Sequence, residues 1–312
     1  MNYRILGRTG IKVSVIAFGA GPVSGWATSV AADRQVAVVR RAIDAGINWF
    51  DTAPTYSDGQ SELAIGRALS ELAAHEQVHL ATKVRLDNQS GSDIRGFVLK
   101  SVESSLERLR CSKVTLLQLH NSVTAGRGDQ PTSVTTRDVL GPQGVLQAFE
   151  ELRSSGLVAH LGLTGLGDPA SLRTVIDSDQ FETVQTPYNL LNPSAGRRMP
   201  ADFPETDHGN LFRHCDRQQM GVFAIRVFAG GALALREPSA HTKVTKFFPM
   251  DLYQRDRARA EELARTLPKT RPLPEAALQF VLDNPIVTSA LIGFASEDEI
   301  DNAVQIVEGT NA

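Results

Sequence analysis

Asn48-Trp49-Phe50-Asp51-Thr52, then Val78-His79-Leu80-Ala81-Thr82-Lys83-Val84, then Val114-Thr115-Leu116-Leu117-Gln118-Leu119-His120 are three short apolar runs. Each carries an ionisable residue at or next to its C-terminal end. Between them lie stretches with helical spacing of apolar residues, 61–73 and 93–109. Short β-like runs alternating with longer amphipathic ones imply parallel strands joined by helical crossovers. The alternation continues in both directions. A strand over 16–18 and a helix over 34–45 precede it; strands over 159–164, 183–188, 221–228 and 289–294 follow. Helices are expected over 143–154, 169–178, 211–219, 255–267, 274–283 and 296–307. Asp168-Pro169 and Pro274-Glu275 supply helix-start signals. Eight such units close most naturally into a (β/α)8 TIM barrel, here one α/β domain spanning 1–312. An open doubly wound sheet would want a Gly-x-Gly-x-x-Gly turn after its first strand, and none is present. Tyr3 to Leu6, Gly7-Arg8-Thr9-Gly10 and Ile11 to Val15 read as an N-terminal β-hairpin.

The bulk properties are those of a soluble globular protein, 42% hydrophobic and 21% charged. Lys and Arg number 32 against 35 Asp and Glu and are scattered, which argues against nucleic acid or a membrane surface as partner. Two cysteines, Cys111 and Cys215, make no disulfide framework, and the first residues lack the apolar core of a signal peptide. A cytoplasmic protein is expected. Two long connections, 122–142 after the fourth barrel strand and 229–254 after the seventh, follow strand C-termini and would wall a substrate pocket.

Adjacent strands thus deliver Asp51, Lys83 and His120 to one spot, joined by Tyr56 from the loop Ala53-Pro54-Thr55-Tyr56. Taken singly, each has a structural explanation: an Asp holding a turn, a Lys reaching solvent, a satisfied His. Together they suit proton transfer to a substrate oxygen. A free phenol is too weak an acid at neutral pH, and a buried ammonium beside it favours the phenolate. Asp51 would keep Lys83 charged, and neutral His120 would orient the substrate oxygen. Proton transfer without a hydride source implies a cofactor.

These residues, with Arg4-Ile5-Leu6-Gly7-Arg8-Thr9-Gly10 and Val184-Gln185-Thr186-Pro187-Tyr188-Asn189, make the sequence resemble the aldo-keto reductase superfamily over nearly its whole length. Ser57 stands where that family usually has Gly. The resemblance implies a NAD(P)-dependent carbonyl reductase with the tetrad Asp51, Tyr56, Lys83 and His120. It implies nicotinamide contacts from Thr164 and Gln185, with Gly165 in place of a family Asn. Further cofactor contacts are implied from Gly19, Asp51, Phe228, Gly293, Phe294, Ser296, Glu299 and Asn302. Arg226 lies in an apolar strand and needs an anionic or polar partner. The cofactor is the favoured one, a salt bridge with a loop carboxylate the alternative. NADP(H) is the family default. Ala295 and Glu299 occupy positions where NADP-selective members carry Arg or Lys, which brings NAD(H) level with it.

The expected substrate is a small aldehyde, ketone or sugar lactol, with Trp26, Tyr56, His120 and Asn121 lining its pocket. One other class is a cofactor-sensing regulatory subunit on the same fold. Another is a two-carboxylate hydrolase using Asp51 and Glu62, which leaves Lys83 and Tyr56 without roles. The seven histidines show no ligand spacing, so no metal is expected. Physiological substrate, reaction direction and oligomeric state have no signature here.

Overall fold

The computed structural model describes residues 1–87, 93–245, 249–268 and 271–309. Strands β1 (Tyr3–Ile5) and β2 (Lys12–Ser14) form the antiparallel hairpin. The barrel strands are β3 (Ile16–Gly19), β4 (Trp49–Asp51), β5 (His79–Val84), β6 (Val114–Leu119), β7 (Val158–Thr164), β8 (Thr183–Pro187), β9 (Gly221–Ile225) and β10 (Ser289–Ile292). They pair in parallel and in chain order, with β10 closing on β3. All eight fall within or beside the expected runs. The seventh ends three residues early because Arg226 takes a left-handed backbone, φ 58°, which no strand continues through.

The surrounding helices are α1 (Trp26–Ser29), α2 (Ala32–Asp44), α3 (Gln60–Glu71), α4 (Ile94–Leu109), α5 (Thr136–Leu140), α6 (Val145–Ser154), α7 (Pro169–Asp177), α8 (Phe212–Arg217), α9 (Met250–Thr266), α10 (Leu273–Leu282) and α11 (Glu297–Gly309). The sequence reading did not include α1 or α5. Helix α5 lies inside the connection over 122–142 and starts on a reciprocal cap, in which the Thr135 hydroxyl and the Asp138 carboxylate bond each other's backbone N–H. Among the described residues, no helix is long and apolar enough to cross a membrane.

Alternation along the strands places every second side chain inside the barrel. The floor is apolar: Leu6, Val13, Ala17, Trp49, Ala81, Leu116 and Phe223 form one buried cluster, with the Trp49 and Phe223 rings 4.8 Å apart. Burying each large side chain contributes about 1.5–3 kcal/mol. Leu6 reaches this floor from the hairpin turn, where Gly7 takes φ 48°. A Cβ there would lie 2.3 Å from the backbone nitrogen of Gly221. One step higher the inward residues turn polar: Asp51 beside Gly19, Lys83 beside Gln118, and Thr164 beside Gln185. This layer positions the site.

Candidate active site

Asp51 is the hub. Its carboxylate, 1% exposed, accepts from Lys83 Nζ at 2.5 Å on one oxygen. The other oxygen accepts from Gln118 Nε2 at 3.0 Å and Gln185 Nε2 at 2.5 Å. Lys83, wholly buried, also donates to the Thr52 carbonyl at 2.8 Å and to Tyr56 Oη at 3.2 Å. Burial alone would lower the Lys83 pKa, but Asp51 and then Tyr56 outweigh it and raise the ammonium above its ordinary value. The cation therefore sits fixed between a carboxylate and a phenol.

The His120 ring meets the Tyr56 ring edge-on, centroids 5.5 Å apart, and its Nδ1 lies 3.4 Å from Thr55 Oγ1. Burial, then the charges of Lys83 and Arg85, hold His120 well below the usual histidine range, so it is neutral at physiological pH. Such a set can hand a proton to an oxygen at Tyr56 and take it back, with a neutral imidazole beside it.

Helix α3 braces these strand ends. Ser61 donates to the Ala20 carbonyl and meets Thr52 Oγ1 at 2.7 Å. Glu62 accepts from the Thr82 hydroxyl and from Arg108 Nε, the latter at 2.7 Å. Thr82 alternates with Lys83, so Glu62 lies behind the barrel wall while Asp51 lies within it. The two carboxylates do not face one space, which removes the two-carboxylate arrangement.

The remaining expected residues separate into groups. Trp26 is fully buried with its ring edge-on to Phe18, and Phe294 packs on the same Phe18, centroids 5.9 Å apart. Both are core residues as placed; Trp26 does not line a pocket. Asn121 is likewise buried and fully committed to backbone. It accepts the Leu86 N–H at 2.8 Å and donates to the carbonyls of Leu86 at 2.9 Å and Thr132 at 2.5 Å. Its task is to hold two loops, and no amide hydrogen is left for a substrate. Thr164 donates to the Leu119 carbonyl at 3.1 Å. Gly165 has a packing reason: a Cβ there would fall 2.9 Å from that of Thr186. Phe228 is half-buried between two apolar clusters, and Asn302 is exposed on α11.

Arg226 lies within the electrostatic reach of carboxylates of the protein itself. Its charge is felt by Asp256 of α9 and by Glu205, while burial pushes its guanidinium pKa down. Glu205 in turn holds Arg255 and Arg259, the latter at 2.8 Å.

At the start of α11, Ser296 Oγ accepts the Glu299 N–H at 3.3 Å. The Glu299 carboxylate folds back to accept the Ala295 N–H at 2.7 Å and Arg236 at 2.7 Å. Gly19 and Gly293 border this end: a Cβ on Gly293 would lie 3.1 Å from that of Ser24. Sequence reasoning missed four residues: Gln118 and Arg236, and also Arg85 and Ser61. The signal for Arg85 was available, since it shares strand parity with Lys83.

The "Aldo/keto reductase family" sequence profile matches residues 15–310. The chain is 29% identical over 309 residues to L-galactose dehydrogenase of Arabidopsis thaliana, covering 98% of this chain and 88% of that protein. It is 27% identical to D-threo-aldose 1-dehydrogenase of a Pseudomonas species, covering 91% and 86%. Among solved structures, aldo-keto reductase AKR11C1 from Bacillus halodurans in its holo form superposes with a TM-score of 0.73 at 24% identity, covering 99% and 91%. An aldo-keto reductase from Klebsiella pneumoniae in complex with NADPH gives 0.67 at 20% identity, covering 99% and 90%.

Proposed function

The chain belongs to the aldo/keto reductase family, and on that premise we propose that it interconverts a small carbonyl compound and its alcohol, with Tyr56 as the proton-transfer residue. The observation that carries this reading is the wholly buried Lys83 ammonium held between Asp51 and Tyr56. A bound nicotinamide dinucleotide would supply or accept the hydride. Everything else falls to the chain's own side chains. Tyr56 Oη gives its proton to the substrate oxygen in reduction and takes one back in oxidation. Lys83 stabilises the phenolate left behind. Asp51, pinned by Gln118 and Gln185, keeps that ammonium in place. Neutral His120 donates a hydrogen bond to the substrate oxygen without adding a second full charge.

At the phosphate end, the side chains at the start of α11 favour NAD(H) over NADP(H). The Ala295 N–H and Arg236, the donors a 2′-phosphate would seek at the start of α11, both go to Glu299. A carboxylate there suits a ribose hydroxyl and repels a phosphate. The two relatives named as dehydrogenases of sugars support oxidation of a sugar-like hydroxyl as the working direction.

The test follows reduced nicotinamide absorbance with an aldehyde panel, using NADH and NADPH in turn. Turnover that falls 10²- to 10⁴-fold in Tyr56→Phe supports the proton role. Equal rates in both proteins would defeat it. A lower KM for NADPH than for NADH would defeat the cofactor preference.

A further inference from the structure

Away from the tetrad, a cleft of about 240 Å³ opens among the outer helices, between α7, the loop that follows β8, and α8. It is lined by Arg173 of α7, by Arg198, Gly209 and Asn210 of the loop, and by Arg213 and His214 of α8. No tetrad residue borders it. Leu211 and Phe212 are wholly buried, Leu211 beside Gly165 and Phe212 on the Tyr188 ring, while Asn210 and Arg213 on either side of them turn outward. Gly209 shapes the cleft. Its backbone is left-handed, φ 66°, and a Cβ on it would lie 2.7 Å from that of Pro169 and 3.2 Å from Arg173 Nη1. The loop therefore lies directly on the start of α7, and the half-buried Arg173 guanidinium rests against it. Arg198 and Arg213 stand exposed around that base.

Three guanidinium groups thus share one space without a carboxylate partner. Among the described residues, none of the three donates a hydrogen bond or forms an ion pair, and the Asn210 amide makes no hydrogen bond. The acidic neighbours are engaged elsewhere. Asp168, whose charge reaches Arg173, accepts from Ser171 N and Oγ at 2.8 and 2.9 Å. Asp207 accepts the Gly209 N–H at 2.8 Å, and Asp177 holds His214 at 3.0 Å. Glu205 shows the contrast, since it takes both Arg255 and Arg259. Gathered cations repel one another, and an anion among them relieves the repulsion. A phosphate presents three terminal oxygens to forked donors, a carboxylate only two. The volume falls below the roughly 300–1,000 Å³ of drug-sized sites, so the occupant is small. We propose that this cleft binds a phosphate group, free or on a small organic ester, with Arg173 at its base and Arg198, Arg213 and the Asn210 amide around it. The site is separate from the proton-transfer centre, and its test needs no turnover.

Calorimetric titration of the full chain at neutral pH uses inorganic phosphate and glucose 6-phosphate, with glucose and succinate as controls. At least one phosphate probe should bind in the submillimolar range, and both controls at least tenfold more weakly. Glucose 6-phosphate binding tenfold tighter than inorganic phosphate identifies an ester as the ligand; equal affinities identify the free ion. In Arg173→Gln the Kd should rise about ten- to hundredfold, the loss of a hydrogen bond to a charged group, and Arg173→Lys should keep part of the affinity. Thermal melts report folding, and the exposed Arg213→Gln, expected to weaken binding likewise, carries the test should Arg173→Gln unfold. An absence of phosphate binding, equal binding of succinate or glucose, or a Kd unchanged in folded Arg173→Gln or Arg213→Gln overturns the proposal. Titration with NADH at saturation completes it. Unchanged phosphate binding upholds a separate site, and binding abolished by NADH overturns it, because the anion would then share the dinucleotide's own place.

Discussion

Replacing Lys83 by Met should cost stability as well as activity, and the two losses have one origin. Lys83 and Asp51 are 0% and 1% exposed, so removing the ammonium leaves a carboxylate in the barrel interior without its counter-charge. Breaking such a pair typically costs about 3–5 kcal/mol. Asp51 keeps the amide donors of Gln118 and Gln185, which argues for the lower end, about 3 kcal/mol. In a chain of this size that lowers the melting temperature by roughly 6 °C. Asp51→Asn should cost a similar amount by stranding the ammonium on Tyr56 and the Thr52 carbonyl. The double variant should be less damaged than the two losses together, by about 2 kcal/mol, because neither charge is stranded. Denaturant melts of the four proteins measure this coupling. Additivity within about 0.5 kcal/mol would refute the claim that these groups act as one buried unit. The pH dependence follows the same logic. The folded-state value of Lys83 is raised, so its contribution is fully present below the ordinary lysine value and is lost as pH rises through the higher folded one. The gap between wild type and Lys83→Met should therefore be flat through neutral pH and close only in strong alkali.

Acid should destabilise the fold through His208, whose value is lowered to about 4 by burial and then by Arg226. Its stability contribution is present above the ordinary histidine value and is lost as pH falls toward 4, worth about 3 kcal/mol in all. Denaturation midpoints of His208→Asn should be flatter between pH 7 and 4.5; an unchanged slope would point to other groups. Asn121→Leu should lose about 3 kcal/mol in the same assay, since it strands backbone groups of Leu86 and Thr132; a loss below 1 kcal/mol would mean that water replaces the amide. Glu299→Gln should raise the NADPH-to-NADH ratio of kcat/KM about tenfold by removing a like charge, and a constant ratio would place the phosphates elsewhere. Gly7→Ala should cost over ~2 kcal/mol through its left-handed backbone and its contact with Gly221, a cost that a neutral melt would disprove.

The barrel was legible in the sequence because its strands are buried on both faces and read as unbroken apolar runs between amphipathic helices. The grouping of the tetrad was legible because Asp51, Lys83 and His120 each sit at or just past the end of one run, where neighbouring strands must bring them to a common point, and Tyr56 follows on the loop beyond the first. What escaped was decided by register and loop path. Nothing in the spacing of Gln118 and Gln185 says that they share one oxygen of Asp51, because that depends on how four strands stagger around the barrel. Arg236 finds Glu299 across 63 residues from an irregular turn that no period describes. The carboxylates whose charge reaches Arg226 stand on α9 and in a loop of no recognisable pattern, so no period in the sequence pointed to them. Asn121 and Trp26 were misplaced for a simpler reason. Asn121 follows a strand end and Trp26 opens α1 beyond the loop after β3, places that admit either an outward task or a buried one, and only packing chooses.

The hairpin turn that drives Leu6 into the barrel floor makes the molecule a cup rather than a tube. Two reactants that meet inside a cup must share its one opening. Whichever lies deeper has to arrive first and depart last, so order of entry would be inherited from architecture before any affinity is considered. A blocker lodged at the rim would then arrest loading and unloading alike, and adding more of either reactant would not simply dislodge it.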